Sequence, residues 1–422
     1  MRAGVPSLLG DGAALPTGGL PAALTTARRW LVALLTIGLA ASISLSEVVF
    51  AALAVIAIVT GRAESRRQPP GPAAASWPLA VPIAAFAAWT VVSALVSARP
   101  LESLVAAKTI IWLAVVYVVL HSLPDRASAH RFATLLFVAV SVVAALSIAQ
   151  VGFCPVVPET TGLTGWFFHK CGRARGFFSI YMTLAGVLSL VLVATLPGVV
   201  RTGRRSWWMA AAWLAGVAAL ALTYVRGAWI GFAVGIAICA VALGRRAVVL
   251  AAIVVIAIAG AAALPGVMDR AITLSHGDDT ARDRLAMLHG GWHIVREHLI
   301  TGVGVGGVKR LYPSYAPPEA LRHSTSHLHD TPLQILVERG VIGLALWVLI
   351  YATFFVRALR VLRTIPAAEG RDRALVLGAI AAVASFLVAG LFEYNFGDTE
   401  VLFVANAVMA LPFVIERSLR SG

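Results

Sequence analysis

The chain is dominated by apolar runs whose lengths match the thickness of a lipid bilayer. A membrane-spanning helix requires about 20 apolar residues, or a few fewer. The first run, residues 30–61, is long enough for two short spans, with a break near Ser42 and Glu47. Ten further runs follow, at residues 77–97, 104–123, 132–153, 177–199, 207–224, 228–243, 248–264, 333–356, 374–392 and 401–415. The sequence therefore predicts an all-α polytopic membrane protein with about 12 transmembrane helices.

Arginines follow every second predicted span, where the first apolar run counts as two spans. Beyond the second, fourth, sixth, eighth, tenth and twelfth spans they are Arg62, Arg66, Arg67, Arg126, Arg131, Arg201, Arg204, Arg205, Arg245, Arg246, Arg357, Arg360, Arg363, Arg371, Arg373, Arg417 and Arg420. Because arginine and lysine accumulate in cytoplasmic loops, this alternation predicts that both termini are cytoplasmic. A count of ten or eleven spans would require residues 30–61 to form one long helix.

The composition agrees with a membrane protein and excludes other classes. The chain is 59% hydrophobic and 13% charged, whereas about a quarter of the residues of a soluble domain are charged. The net charge of +14 is spread between the apolar runs rather than gathered in one patch, so we expect no nucleic-acid partner. Three cysteines are too few for a disulfide scaffold. The first residues lack the pattern of a signal peptide and predict a loose cytoplasmic tail.

These patterns divide the chain into five predicted segments. They are a cytoplasmic tail (1–29), transmembrane helices 1–9 (30–264), a large, partly helical loop on the outer side (265–331), transmembrane helices 10–12 (332–416) and a second cytoplasmic tail (417–422). The outer loop is the longest polar interruption of the chain. We expect an amphipathic helix over residues 280–297, followed by a glycine-rich turn at residues 302–307. We expect the chemistry of the protein to take place in this loop.

Two arginines on the predicted outer side are candidates for binding an anion. Arg226 stands between two apolar runs, and Arg284 opens the predicted loop helix. The arginine fork suits bidentate binding of phosphate, so the two side chains together are suited to a diphosphate. The alternatives are a snorkelling arginine at a helix end for Arg226 and a solvated helix start for Arg284.

A histidine cluster closes the outer loop at His323, His327 and His329. Histidine suits removal of a proton from a hydroxyl group at neutral pH. Zinc binding is an alternative, although no fourth ligand is obvious, and a merely structural role remains open for each ring. Asp330, followed by Thr331 and Pro332, has the pattern of a helix N-cap, which would put His329 at the membrane surface.

The cysteines fall into two groups. Cys154 and Cys171 share one predicted outer loop, where an oxidising compartment makes a disulfide plausible. Cys239 lies within the eighth predicted span and is expected to be an inert packing residue.

Three blocks of sequence resemble the O-antigen ligase/polymerase superfamily, the bacterial membrane enzymes that handle undecaprenyl-diphosphate-linked glycans. The first block is residues 173–186, which begins with the pattern Arg-x-x-Gly-x-Phe at Arg173, Gly176 and Phe178. The second is residues 223–229, which has Val225 where the family has a serine. The third runs from Arg284 to residue 343 and has Asp330 where the family has an asparagine.

The resemblance implies a GT-C-like fold and a metal-independent glycosyl transfer that uses no cofactor. In the family's terms, Arg226 and Arg284 match the arginines that hold the lipid diphosphate. His329 matches the histidine that activates the acceptor hydroxyl. Further substrate contacts are expected from Arg173, Arg175, His327 and Asp330, and no metal site is expected.

The resemblance further implies an O-antigen ligase. Such an enzyme transfers a preassembled glycan from undecaprenyl diphosphate to lipid A–core, with inversion, at the periplasmic face of the bacterial inner membrane. An O-antigen polymerase or a protein O-oligosaccharyltransferase would keep the chemistry and change the acceptor. A solute or anion transporter is an alternative of another class. A transporter places its ionisable residues near the middle of the bilayer, whereas here they collect on the outer side.

Overall fold

The computed structural model describes residues 22–65, 77–154, 165, 167–168, 171–202, 206–244 and 279–421. These residues form helices and connecting segments, and no β-strand occurs among them. The α-helices are α1 (Ala22–Ala41), α2 (Ile43–Ser65), α3 (Ala80–Leu95), α4 (Pro100–Ala106), α5 (Val115–Ser122), α6 (Arg126–Phe153), α7 (Tyr181–Thr202), α8 (Trp207–Leu222), α9 (Arg226–Leu243), α10 (Asp279–Glu297), α11 (Gly307–Tyr315), α12 (Thr331–Thr364), α13 (Gly370–Ala389) and α14 (Thr399–Ser421). The prediction of an all-helical membrane protein is confirmed.

Nine helical segments in the described part of the chain are long and apolar enough to cross a membrane. The shorter apolar helices α3 and α8 fall on two further predicted spans. The first apolar run is divided at Ser42, between α1 and α2, as the sequence predicted. The predicted ninth span, residues 248–264, lies outside the described residues, so the total of twelve remains a prediction.

Several helix boundaries differ from the sequence-based ones. The predicted fourth span is composed of α4, a 3₁₀ helix (Ala107–Ala114) and α5, which together form one apolar segment of span length. α1 begins at Ala22, inside the stretch expected to be a loose tail, and α14 continues to Ser421 beyond the predicted end of the last span. Apolar runs mark the part of a helix that lipid covers, whereas a helix also continues into polar residues at its ends.

The centre of the bundle is α13, which packs between α7 and α9. The packing is close because small residues face the neighbouring helices. At Gly378, a Cβ atom would lie 1.9 Å from the carbonyl oxygen of Ala194 in α7. At Gly231 of α9, a Cβ atom would lie 2.5 Å from the carbonyl oxygen of Ser385. Small residues are typical of helix contacts inside membranes, because they allow backbones to approach each other.

α12 is interrupted at Gly340, whose φ of 67° and ψ of −175° are not helical. The interruption frees backbone groups that the loop after α10 then satisfies. The amides of Val303 and Gly304 donate to the carbonyls of Val337 and Glu338, at 2.9 Å each. The amide of Val341 donates to Leu299 at 2.8 Å. The break thus joins the outer loop to the membrane-spanning part of α12.

A buried ion pair stands at this break. The side chains of Glu338 and Arg339 are joined at 2.8 Å and are almost entirely buried. Glu338 also accepts hydrogen bonds from the side chain of Gln334 and the amide of Gly306. Arg339 donates to the hydroxyl of Thr90 in α3. Because each charge has hydrogen-bond partners, the pair can be held away from water, and it locks the loop, α3 and α12 together.

The described part of the outer loop has a small hydrophobic core of its own. Buried side chains of α10, α11 and the start of α12 pack together there: Met287, Ile294, Val295, Val303, Val308, Tyr312, Leu328 and Val337. Asp283 of α10 accepts from the amides of Leu321 and Arg322, at 3.1 Å each, and so ties the later part of the loop to the helix. The predicted amphipathic helix, residues 280–297, coincides with α10, and the glycine-rich turn follows it.

Candidate functional site

One buried carboxylate connects two of the predicted site residues. Glu393 lies in the turn between α13 and α14, and its side chain is 8% exposed. One of its oxygens, Oε2, is 2.8 Å from Nδ1 of His329. The other, Oε1, accepts a hydrogen bond from the guanidinium of Arg284. Residues far apart in sequence are therefore joined into one cluster, which we call the His329–Glu393–Arg284 cluster.

This geometry determines which nitrogen of the His329 imidazole carries the proton. A carboxylate oxygen only accepts, so Nδ1 must carry the hydrogen of the 2.8 Å contact. In the neutral ring, Nε2 then keeps its lone pair and is able to accept a proton. A carboxylate that orients a histidine in this way also stabilises the imidazolium that forms when the proton is taken up. The cluster is chemically suited to general-base catalysis.

The local sequence holds His329 in place. Asp330 is the N-cap of α12 and accepts from the amide of Leu333 at 2.7 Å, as predicted. Burial raises the pKa of the Asp330 carboxyl, and the hydrogen bond from Leu333 opposes this shift. The hydroxyl of Thr331 donates to the carbonyl of Glu393 at 2.8 Å, and the amide of Thr331 donates to Gly390. These contacts attach the start of α12 to the turn that carries Glu393.

Unusual backbone conformations occur beside the candidate residues. Among the described residues other than glycine, only His329, with φ of 52°, and Tyr224, with φ of 55°, have positive φ. Such conformations are sparsely populated and cluster at functional sites, where the surrounding structure holds them. Tyr224 lies two residues before Arg226, so both positions adjoin predicted site residues.

Arg226 lies at the same end of the bundle as the cluster. It is the first residue of α9, and it is exposed. The next residue, Gly227, packs directly against Phe392, since a Cβ atom on the glycine would lie 2.5 Å from the Cβ atom of Phe392. Phe392 precedes Glu393, so the start of α9 adjoins the turn that carries the carboxylate. A helix N-terminus also favours anions through its exposed amides.

His327 packs against His329, with the ring centroids 4.2 Å apart and the rings edge to face. Burial and, to a smaller extent, the neighbouring His329 lower the pKa of His327 to about 4, whereas Glu393 opposes the shift. His327 is therefore neutral at physiological pH, and its ring packs against the ring of His329. His323 is exposed. The described residues contain no group of three or more His, Cys, Asp or Glu side chains with the geometry of a metal site, so the zinc alternative gains no support.

The two arginines of the first sequence block differ in their surroundings. The Arg173 guanidinium lies over the ring of Tyr181, 4.4 Å from its centroid. Arg175 is buried, and its guanidinium donates to the carbonyl of Phe178 at 2.9 Å. Burial lowers the pKa of Arg175. Its contacts support the fold of the loop before α7. A substrate contact for Arg175 stays a prediction, and the burial of the side chain does not favour it.

Cys154 and Cys171 form a disulfide bond, which the sequence had left open, and Cys239 is buried in α9 as expected. The bond ties the end of α6 to the residues just before the first sequence block. Disulfides persist in oxidising compartments, so the bond supports the assignment of this end of the bundle to the outer side of the membrane.

The disulfide gives a test of the topology. If the protein from membranes is denatured and labelled with a large maleimide reagent, we expect one added label without reduction and three labels after reduction, since the chain has three cysteines. The Cys154→Ser/Cys171→Ser variant should take one label in both conditions. Three labels without reduction would show that the bond is absent and would remove its support for the outer-side assignment.

One face of α10 exposes apolar side chains. Leu285, Leu288 and Trp292 are 54%, 38% and 49% exposed, and Leu299 and Ile300 continue the surface beyond the helix. The hydrogen bond between Val341 and Leu299 places this surface beside the exposed Val341 and Ile342 of the spanning part of α12. An amphipathic helix with such a face is typical of the membrane surface. Arg284 lies on the same helix as this exposed apolar face.

The sequence did not assign a role to Glu393. It lies beyond the last resembling block, in the acidic segment at residues 393–400. Two signals were available: the residue directly follows a span, and the arginine alternation places it on the same side as His329. Neither signal identifies a partner, because the pairing depends on how α10, α12 and α13 meet.

The fold and the site together define a multi-pass α-helical membrane protein with a histidine–carboxylate–arginine cluster at one end of the bundle. Residues 210–348, from α8 to α12, match the family model described as O-antigen ligase. This match supports the membership in the O-antigen ligase superfamily that the sequence blocks predicted. The matched stretch contains Arg226, Arg284 and His329, and it ends before Glu393. No match was found among curated proteins.

Similarity to this family over the matched residues supports, in general terms, a glycosyltransferase-like membrane enzyme.

Proposed function

We propose that the protein is an O-antigen ligase that transfers a preassembled glycan from undecaprenyl diphosphate to lipid A–core, at the periplasmic face of the bacterial inner membrane. The observation that carries the proposal is the Glu393 carboxylate, which binds His329 and Arg284 at once. A proton acceptor and an anion-binding group are thereby brought to one place, as transfer from a diphosphate to a hydroxyl requires.

In the proposed reaction, the acceptor hydroxyl attacks the anomeric carbon of the first sugar of the glycan. Nε2 of His329 accepts the hydroxyl proton while the new C–O bond forms. The bond between the anomeric carbon and the diphosphate oxygen breaks, and the lipid diphosphate leaves with the electron pair. Because this is a single displacement, the configuration at the anomeric carbon inverts.

The arginines are assigned to the leaving group. Charge that develops on a departing diphosphate is stabilised by cationic groups that are already in position. Arg226 begins α9, and Arg284 lies on α10, whose apolar face is suited to the membrane surface. A position at the membrane surface fits a donor whose diphosphate lies among the lipid headgroups and whose lipid chain extends into the bilayer. We propose that no metal ion is required, because the two guanidinium groups provide the neutralisation.

The same site fits two related reactions. A polymerase or a protein O-oligosaccharyltransferase would use the same donor chemistry with a different acceptor, and the ligase is preferred because the family match carries that description. A transporter is less well supported. Transporters bind their substrates near the middle of the bilayer, whereas the His329–Glu393–Arg284 cluster lies at one end of the bundle, in turns and on the loop helix α10.

Transfer in vitro tests the proposal. Purified protein would receive undecaprenyl-diphosphate glycan and lipid A–core in the presence of EDTA. We expect lipid A–core to gain the glycan. Longer undecaprenyl-linked chains with unchanged lipid A–core would instead identify a polymerase. If neither product forms while the protein remains folded, the ligase assignment is wrong for these substrates, and a peptide acceptor would be tested next.

The Glu393→Gln variant tests how the cluster works. The amide keeps the size of the side chain but loses the charge that stabilises the imidazolium of His329. We expect kcat to fall at least about tenfold, since loss of the orienting carboxylate beside a catalytic histidine has large effects. KM should change much less, and Glu393→Asp should recover part of kcat. Glu319→Gln, at an exposed position of the outer loop, is the matched control. Equal activity of both glutamine variants would contradict the assignment.

A further inference from the structure

A second charged site lies at the opposite end of the bundle. The last turns of α12 and α14 line a half-open cavity of about 590 Å³. Its lining includes Arg357, Arg360, Glu416 and Arg420. Along α12, Arg360 is 31 residues from His329, which corresponds to roughly 40 Å or more at about 1.5 Å per residue. The cavity is therefore separated from the His329–Glu393–Arg284 cluster by about the thickness of a bilayer.

The charges of this cavity do not balance. The Glu416 carboxylate is shared, with Oε2 3.0 Å from Arg357 and Oε1 2.6 Å from Arg420. Arg360 is exposed, and within the part of the chain that the structure describes it forms no ion pair. The lining thus contains three guanidinium groups and one carboxylate, and Arg360 adds a positive charge that no carboxylate of the described residues pairs. An anionic ligand with one or two charges would complete this site.

Two of the arginines are held in position before any ligand binds. Arg357 donates to the carbonyl of Pro78 at 2.7 Å, and its guanidinium lies over the ring of Phe413, 5.2 Å from the centroid. Arg420 is fixed by Glu416. Because less side-chain freedom remains to be lost, such groups bind an anion at a lower entropic cost than free surface arginines. Arginine also offers the paired donors that phosphate oxygens prefer.

Apolar side chains adjoin the charged ones. Val361 and Leu419 line the same cavity. On the preceding turn of α12, Val356 and Leu359 are 49% and 40% exposed, as expected of side chains that face lipid. A ligand at this position can place an anionic group against the arginines while its apolar part continues along α12. A soluble phosphate would use only the charged half of this surface.

We propose that this cavity binds the headgroup of an anionic phospholipid. The arginine alternation predicts that this end of the bundle is cytoplasmic, and basic pockets between helices on that side suit phosphate headgroups. The site is distinct from the proposed donor site, and it requires neither a glycan nor a diphosphate. A phospholipid bound here would join the ends of α12 and α14. It would thereby stabilise α12, whose other end adjoins the His329–Glu393–Arg284 cluster.

Native mass spectrometry of the purified full-length protein tests this site. The protein would be titrated with cardiolipin, phosphatidylglycerol or phosphatidylcholine. We expect the two anionic lipids to remain bound at least about tenfold better than phosphatidylcholine, since each phosphate contact contributes a charge-assisted hydrogen bond. The Arg360→Gln/Arg420→Gln variant should lose most of this preference. Because both positions are exposed, the variant is expected to fold, and a circular dichroism spectrum would verify that.

Arg363→Gln is the matched control, because Arg363 lies on the same last turn of α12, is exposed and does not line the cavity. It should bind the anionic lipids as the unchanged protein does. Equal losses in both variants would show diffuse attraction by basic helix ends and would overturn the proposal. Displacement of the lipid by millimolar inorganic phosphate would assign the cavity to a soluble anion and would also overturn it.

Discussion

Replacement of His329 by alanine is expected to lower the rate of glycan transfer about 10²–10⁴-fold, the range that a positioned general base contributes. The variant loses Nε2, which accepts the proton of the acceptor hydroxyl in the proposed mechanism. Donor binding should change little, because the diphosphate is assigned to the arginines. The measurement is the initial rate of glycan transfer to lipid A–core, with donor binding determined separately on the same preparation.

His323→Ala is the control for this prediction. His323 belongs to the same histidine cluster of the sequence, but its side chain is exposed, and no contact joins it to Glu393. Its transfer rate should stay within about twofold of the unchanged protein, since surface substitutions are mostly neutral. If His329→Ala retained full activity, the general base would have to be another group. The role of Glu393 in orienting His329 would then also be wrong.

Replacement of Arg284 by alanine is expected to reduce transfer about 10²–10³-fold, the cost of removing one donor that stabilises a developing negative charge. The variant loses a cation at the proposed diphosphate position. It also leaves the buried Glu393 carboxylate with His329 as its one remaining side-chain partner within the cluster. Both effects lower the rate. The same assay measures this variant, with donor affinity measured in parallel.

Two further variants separate these effects. Arg284→Lys keeps the charge but loses the planar fork, so we expect it to restore only a small part of the activity. Arg282→Ala removes an exposed arginine from the same helix, two residues earlier, and should leave the rate nearly unchanged. If Arg282→Ala were as damaging as Arg284→Ala, the loss would reflect the general positive charge of α10 rather than a specific position.

Local sequence patterns predicted features that depend on short stretches of chain. The break at Ser42, the loop helix α10 and the N-cap at Asp330 are all found where the sequence placed them. The reason is that apolar length, helical periodicity and capping act among near neighbours in the chain. The interrupted segment before α5 was not anticipated, because a 3₁₀ helix has the same apolar composition as an α-helix.

The sequence by itself determined that the protein is an all-helical, multi-pass membrane protein, and it predicted three positions of the proposed site, Arg226, Arg284 and His329. Only the tertiary structure decided that Glu393 joins His329 to Arg284, that Arg175 is buried and that Glu338 and Arg339 form an ion pair at the break in α12. These facts depend on contacts between helices that are distant in the chain. The apolar composition of a segment shows that it can cross the bilayer. Because membrane helices resemble one another in this composition, it does not show which helices contact each other; the packing of their side chains decides that.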